Sequence, residues 1–153
     1  MTGPTGCGKS LLAYSVVWEL VARGLHVVAW NVREFYQALM NSYDWRTEDL
    51  EAEILESAQV AHLLLLDDFG SEPQNPQNGQ IKGWALERLY TLVNHRSESL
   101  LPVLLTSNLN GTELSKQMES DMGQRIISRL QEMVETMQFE GPDLRGKNRK
   151  DAK

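Results

Sequence analysis

The chain has 153 residues, of which 41% are apolar and 24% charged, and its formal net charge is −6. This composition is sufficient for one domain with a hydrophobic core, and an acidic chain does not attract nucleic acid by its overall charge. No apolar run approaches the ~20 residues of a membrane span, and the single cysteine, Cys7, excludes an internal disulfide. We therefore predict a cytoplasmic protein with no membrane partner.

A glycine-rich segment near the N-terminus, Gly3-Pro4-Thr5-Gly6-Cys7-Gly8-Lys9-Ser10, has the pattern G-x-x-x-x-G-K-[ST] and leads into an apolar, helix-like stretch. Such a loop turns successive backbone N–H groups toward phosphates, and its glycines adopt backbone angles that a Cβ would disfavour. Lys9 is expected to contact the β- and γ-phosphates, and Ser10 a Mg²⁺ ion, at the positive end of the helix dipole. We predict a nucleoside triphosphate site over this segment and Leu11, with a chance glycine-rich turn as the alternative.

The position of this loop in the chain is unusual. A phosphate loop normally follows a buried parallel strand, but only Met1 and Thr2 precede it here. The first strand is therefore expected to be missing, through either a start assigned too far downstream or a fragment. A fold that forms without this strand is the remaining alternative.

The rest of the chain alternates between two hydrophobic patterns. Apolar residues at three- and four-residue spacing predict helices over 10–23, 32–40, about 47–59, 81–96 and 121–135. Short apolar runs predict strands over 25–30, 62–66, 102–108 and 136–139. Residues 41–44 and 71–79 are predicted to be breaks or loops.

Two adjacent carboxylates, Asp67 and Asp68, follow the continuously apolar run over 62–66. A continuous run is typical of a strand covered on both faces in a parallel sheet, whose ligands bind beyond the carboxyl ends of the strands. We predict that Asp67 holds Mg²⁺, usually through water, and that Asp68 is the base that orients the attacking water. The alternative is a polar turn that closes the strand.

Three further residues are candidates for contact with the nucleotide. Asn108 ends the strand over 102–108 and is placed to bond the γ-phosphate or the attacking water, although an asparagine in a turn is a common alternative. Arg125 and Arg129 lie on a helix face away from the apolar stripe. Surface ion pairs with Asp121 and Glu132 are the default for them, and an arginine finger directed at a neighbouring subunit is the sharper hypothesis.

The ordered set GPTGCGKS, LLLLDDFG, LLTSN, GQRIISRL and EGPDLR resembles the AAA+ ATPases of the DnaC/IstB-like class, which are replicative helicase loaders and transposition helpers. The resemblance extends from Gly3 to about Arg145. It implies that the glycine-rich segment is Walker A, that Asp67 and Asp68 are Walker B and that Asn108 is sensor 1. It also implies that Arg129 is the arginine finger, with Arg125 as a second candidate and Arg145 as a weaker, sensor-2-like match.

The resemblance implies an α/β P-loop NTPase fold of AAA+ type, a three-layer sandwich with a mostly parallel sheet, without its first strand and without a helical lid domain. Residues 1–142 would form the ATPase core and 143–153 a tail, in which five basic residues stand against two acidic ones. Such a tail is usually solvated, and nucleic-acid contact is the alternative. The Walker B pair is Asp-Asp rather than the more common Asp-Glu.

The implied function is binding of ATP with Mg²⁺ and slow hydrolysis between subunits that self-associate through Arg129. This activity would serve to load a replicative helicase onto single-stranded DNA. A transposition helper and a non-catalytic, ATP-dependent adaptor are the alternatives. A small-molecule kinase is disfavoured because no arginine-bearing lid segment is found in the sequence.

Overall fold

The computed structural model describes residues 1–42 and 48–145. These ranges contain six helices and three strands, in the order α1 (Lys9–Ala22), β1 (Val27–Asn31), α2 (Val32–Ser42), α3 (Glu48–Val60), β2 (Leu63–Asp67), α4 (Gly83–Glu98), β3 (Val103–Leu105), α5 (Gly111–Gln117) and α6 (Asp121–Met133). Part of the predicted break over 41–44 and all of the tail after residue 145 lie outside the described residues. No helix in the described part is long and apolar enough to cross a membrane.

The three strands form one parallel sheet in the order β1-β2-β3. Its central strand, β2, is buried along its whole length, as a strand covered on both faces must be. The register places Asn31 of β1 opposite Asp67 and Leu105 of β3 opposite Leu66. The carboxyl ends of the strands therefore meet at one edge, and the predicted α/β fold is confirmed.

The sheet is extended past β3 by the first residues of the chain. The Met1 ammonium group donates to the Leu105 carbonyl at 2.8 Å, and the Ser107 N–H donates to the Met1 carbonyl at 2.9 Å. Thr2 is bridged in parallel to Ser107 on this side. These two residues thus occupy a strand position beside β3, immediately before the phosphate loop.

The other side of Thr2 contacts the segment that was predicted as a final strand over 136–139. The Thr2 N–H donates to the Met137 carbonyl at 2.9 Å, and the Phe139 N–H donates to the Thr2 carbonyl at 2.7 Å. The pairing is a single parallel bridge between Thr2 and Gln138, so the predicted strand is wrong in extent. Within the described residues Thr2 is its bridge partner. A groove of about 1030 Å³, which Met1 and Thr2 also line, lies between β3 and residues 133–138.

The core lies between the sheet and the helices α2, α4 and α6, with α4 packed along α6. Its large side chains include Phe35, Leu39, Leu64, Leu66, Leu89, Leu92 and Ile126. Aromatic rings connect β1 to α4 through Trp30, Phe35, Tyr36 and Trp84, with centroid separations of 5.3 to 6.0 Å. This packing holds β1 and β2, and therefore the carboxyl edge of the sheet, against the helices.

The helix α1 agrees with the helix predicted over 10–23 to within one residue at each end. Its only buried residues are Lys9 and Ala13. Leu12, Trp18 and Val21 are exposed, although the apolar spacing that predicts the helix includes Leu12 and Val21.

Two helix starts also differ from the prediction. The short helix α5 was not predicted, although Asn110 and Glu113 form a reciprocal capping box at its start. The N-cap of α6 is Ser120 rather than Asp121, because the Ser120 side chain accepts the Gly123 N–H. The helix α6 ends at Met133, two residues before the predicted end.

The fully buried side chain of Arg96 joins the end of α3 to the start of β3. Its guanidinium donates to the carbonyls of Ala58, Gln59 and Pro102 at 2.7, 3.1 and 2.6 Å. Arg96→Met would remove the donor of the buried Ala58 contact and of the two part-buried contacts, and would leave the Pro102 carbonyl with the Leu64 N–H alone. We predict that it lowers the free energy of unfolding by about 3 kcal/mol, measured by urea denaturation.

The control for this variant is Arg23→Met, which removes an arginine from the exposed pair that Arg23 forms with Glu19. This change should alter the free energy of unfolding by less than about 0.5 kcal/mol. An equal effect of the two substitutions would contradict a structural role for Arg96.

Candidate nucleotide-binding site

The phosphate loop lies between the Thr2 bridge and α1, where the predicted site requires it. Gly8 is the N-cap of α1 and has a φ of +98°, in the left-handed region that favours glycine. At Gly3, an added Cβ would lie only 2.3 Å from the Phe139 carbonyl oxygen, so this position also needs glycine. The glycines therefore serve both the turn into α1 and the close approach of a neighbouring segment.

The ammonium group of Lys9 is held at the centre of the site, with the residue only 6% exposed. It donates to the carbonyls of Gly3 and Pro4 at 2.8 Å each and to Asn108 Oδ1 at 3.0 Å. Among the described residues no carboxylate forms an ion pair with it. Its three N–H groups are therefore taken up by neutral oxygens, and an incoming anion would have to replace at least one of them.

The carboxylate of Asp67, at the end of β2, is bound by two hydroxyl groups. Ser10 Oγ donates to Asp67 Oδ1 at 2.7 Å, and Thr106 Oγ1 donates to the same oxygen. Ser10 and Asp67 thus meet as predicted and present two oxygens of the kind that Mg²⁺ prefers. Within residues 1–42 and 48–145 no group of three or more His, Cys, Asp or Glu side chains that could hold a metal ion occurs.

Asp68 and Asn108 are joined directly. Asn108 Nδ2 donates to Asp68 Oδ1 at 2.7 Å, while Asn108 Oδ1 accepts from Lys9, so one amide bridges the two charged groups. Asp68 has a φ of +64°, a conformation that costs about 1 kcal/mol or more outside glycine. Its backbone N–H donates to Thr106 Oγ1 at 3.0 Å, and its carbonyl accepts the Ser71 N–H.

The predicted arginines do not join this cluster. Arg125 is exposed and Arg129 half-buried on α6, and neither forms a hydrogen bond or ion pair with a described residue. The surface pairs with Asp121 and Glu132 that were the default expectation are not formed among the described residues. Arg145 is exposed and follows Leu144, whose N–H donates to the Gly6 carbonyl at 3.1 Å.

Two residues of the site were not predicted. Thr106 orients both aspartates, and its position in the polar end of the strand over 102–108 is the signal that would have indicated it. Glu72 lies in the predicted loop over 71–79 and gives no signal, yet it is only 3% exposed. With Arg33, Asp68 and Asn108 it lines a cavity of about 360 Å³ beside the site.

The carboxyl group of Glu72 is buried without a hydrogen-bond partner on either oxygen. Burial raises the pKa of Glu72 to about 7, and the charge of Asp68 acts in the same direction. The nearby backbone N–H groups of Glu72 and Gly70 lower this pKa but do not outweigh the burial. Below neutral pH the group is therefore predominantly neutral in the folded chain.

This burial predicts a pH dependence of stability. Between the ordinary glutamate pKa of about 4.5 and the folded value of about 7, the folded chain binds a proton that the unfolded chain has released. The free energy of unfolding should therefore fall as the pH rises through this window, by up to about 3 kcal/mol, and level off above it.

We predict that Glu72→Gln removes this fall, as measured by urea denaturation at several pH values. Glu53→Gln, which removes an exposed carboxylate, is the control. A pH slope that survives unchanged in Glu72→Gln would show that Glu72 does not cause it.

Comparison with known proteins agrees with this geometry. Residues 1–139 match the family described as "ATPase family associated with various cellular activities (AAA)". The chain belongs to the AAA family. It is also 25% identical over 129 residues to the "Replicative helicase loader DnaC" of Escherichia coli (strain K12), covering 84% of this chain and 48% of that protein. The DnaC of Shigella flexneri gives the same values, so this AAA chain spans about half the length of the curated relatives it matches.

Solved structures show the same fold. The crystal structure of the DnaC helicase loader has a TM-score of 0.69 at 21% identity, over 91% of this chain and 76% of that one. The structure of DnaI has a TM-score of 0.72 at 23% identity, over 91% and 71%. AMPPCP-bound DnaA from Aquifex aeolicus has a TM-score of 0.73 at 22% identity, over 91% and 39%. The predicted resemblance and AAA+ fold are thereby confirmed.

Proposed function

We propose that this AAA chain binds ATP with Mg²⁺ and hydrolyses it slowly, as part of a cytoplasmic protein that loads a replicative helicase onto single-stranded DNA. The observation that carries the ATPase proposal is the Asn108 amide, which bridges the Lys9 ammonium group and the Asp68 carboxylate. The similarity to DnaC supports a role in replication initiation at the level of the family. The helicase and the DNA are proposed from that similarity alone.

The residues of the site fit Mg²⁺ and a triphosphate. Lys9 supplies one positive charge inside the loop, and Ser10 with Asp67 supplies two oxygens at 2.7 Å from each other. When bound, Mg²⁺ contributes positive charge that neutralises phosphate oxygens. Ser10 would leave its bond to Asp67 to hold the ion, while Thr106 keeps the Asp67 carboxylate oriented.

Asp68 and Asn108 would act on the attacking water. The Asp68 carboxylate is half-exposed at the strand end, and the Asn108 amide fixes one of its oxygens at 2.7 Å. The second carboxylate oxygen has no described hydrogen-bond partner and would accept a proton from water. Positioning of this kind, with neutralisation of charge, accounts for most of the catalysis in phosphoryl transfer.

An arginine from a neighbouring subunit would complete the site. Arg129 and Arg125 have no described partner in their own chain, and an arginine supplied in trans can increase turnover by about 10³ or more. Arg33, which lines the cavity beside Asp68 and Asn108, is the competing candidate within the same chain. The first arrangement makes hydrolysis depend on self-association, and the second does not.

The test measures ATP hydrolysis against protein concentration, with single-stranded DNA present, for wild type, Arg129→Ala, Lys9→Ala and an equal mixture of the two variants. Specific activity should rise with concentration, and each variant alone should be nearly inactive. The mixture should recover about a quarter of wild-type activity, the fraction of interfaces that pair the variants in the productive order. Arg125→Ala and Arg33→Ala test the two competing arginines.

Other outcomes would contradict parts of the proposal. Activity independent of concentration, lost in Arg33→Ala and kept in Arg129→Ala, would place the arginine in the same chain. ATP binding without turnover at any concentration would indicate a non-catalytic adaptor. Absence of ATP binding would overturn the proposal as a whole.

A further inference from the structure

The C-terminal end of the described chain contacts the phosphate loop. We refer to residues 137–145 as the strap. Its backbone is bonded to both the N–H and the carbonyl of Thr2, and further along the Leu144 N–H donates to the Gly6 carbonyl at 3.1 Å. The strap therefore contacts the chain at Thr2, just before the loop, and at Gly6, in the middle of the loop.

Within the strap, the side chain of Asp143 lies against the loop. An added Cβ on Gly6 would come within 2.0 Å of Asp143 Oδ1 and 2.3 Å of its Cγ, so the carboxyl group is in direct contact with the Gly6 backbone. The Arg145 N–H donates to the same Oδ1 at 2.9 Å, which holds the side chain in this position. Asp143 forms no ion pair with any residue of the described ranges.

Two opposite charges lie against the loop. The Lys9 ammonium group donates to its carbonyls at Gly3 and Pro4, and the carboxylate of Asp143, in contact with Gly6, is neutralised by no described cation. A fixed negative charge near a bound anion raises the free energy of the complex. Because Asp143 is exposed, solvent and salt weaken this effect but do not remove it at low ionic strength.

We propose that Asp143 is an affinity-determining residue of the nucleotide site, which weakens the binding of the triphosphate and so favours nucleotide exchange. This inference rests on the proposed function, since it requires that the loop binds ATP. The effect is larger for ATP than for ADP, because ATP carries one more phosphate charge. Release of the strap from Gly6 removes this weakening of ATP binding.

The first test compares ATP and ADP binding by calorimetry, with Mg²⁺, at about 50 mM salt. Asp143→Asn keeps the shape of the side chain and its acceptor oxygen for the Arg145 N–H but removes the charge. It should bind ATP about 3- to 10-fold more tightly than wild type, with a smaller gain for ADP. The gain should shrink at about 0.5 M salt, where charges on the surface are screened.

Glu140→Gln is the matched control, because it removes one exposed carboxylate from the same strap at a residue with no described hydrogen bond to the loop. It should leave both affinities within about 2-fold of wild type. A gain equal to that of Asp143→Asn would mean that net charge, and not the contact with Gly6, is responsible.

A second pair of variants tests the attachment of the strap. Leu144→Pro removes the N–H that donates to the Gly6 carbonyl, whereas Leu144→Ala keeps it. Leu144→Pro should tighten ATP binding, as Asp143→Asn does, and should speed tryptic cleavage after Arg145. Leu144→Ala should have neither effect. Equal behaviour of these two variants would overturn the inference.

The outcomes separate this inference from the function on which it rests. ATP binding that is equal, or weaker, in Asp143→Asn than in wild type overturns the role of Asp143 alone. Absence of ATP binding in every variant, with thermal unfolding showing folded protein, overturns the proposed function and this inference together.

Discussion

The Lys9 ammonium group is the interaction on which the site depends, because it joins parts of the chain that are distant in sequence. Three oxygens surround it, two from the start of the phosphate loop and one from Asn108, which lies 99 residues further along. A charge with so little exposure to water is stable only when polar groups replace the lost hydration. The hydrogen bonds that meet this requirement join Lys9 to the start of its own loop and attach the loop to Asn108, which follows β3.

The second constraint is the order of the parallel strands, which brings polar side chains to one edge. Asp67 ends β2, and Thr106 directly follows β3, so the Thr106 hydroxyl meets the Asp67 carboxylate and the Asp68 N–H. This contact holds the backbone of Asp68 in its unfavourable conformation while Asn108 holds its side chain. The conformation of Asp68 that the proposed role in water activation requires is therefore fixed by residues at the ends of the strands, and not by the turn in which Asp68 lies.

The sequence predicted the features that depend on local pattern. Glycine spacing indicated the loop, a continuous apolar run indicated β2, and the polar residues at strand ends indicated the edge where Asp68 and Asn108 meet. The burial of Glu72 and the contact of Asp143 with Gly6 could not be predicted, because they depend on packing between segments with no periodic signal. The apolar spacing of α1 predicted a helix but did not indicate that Leu12 and Val21 are exposed in the described chain.

The central claim is that Lys9, Ser10, Asp67, Asp68 and Asn108 form one nucleotide site. A crystal structure of the chain with Mg²⁺ and a non-hydrolysable ATP analogue tests it most directly. We predict phosphate oxygens at the Lys9 ammonium group and at the backbone N–H groups of the loop, with the metal ion at Ser10 and Asp67. An analogue bound elsewhere, or a loop that still holds Lys9 on Asn108 with no phosphate beside it, would contradict this account.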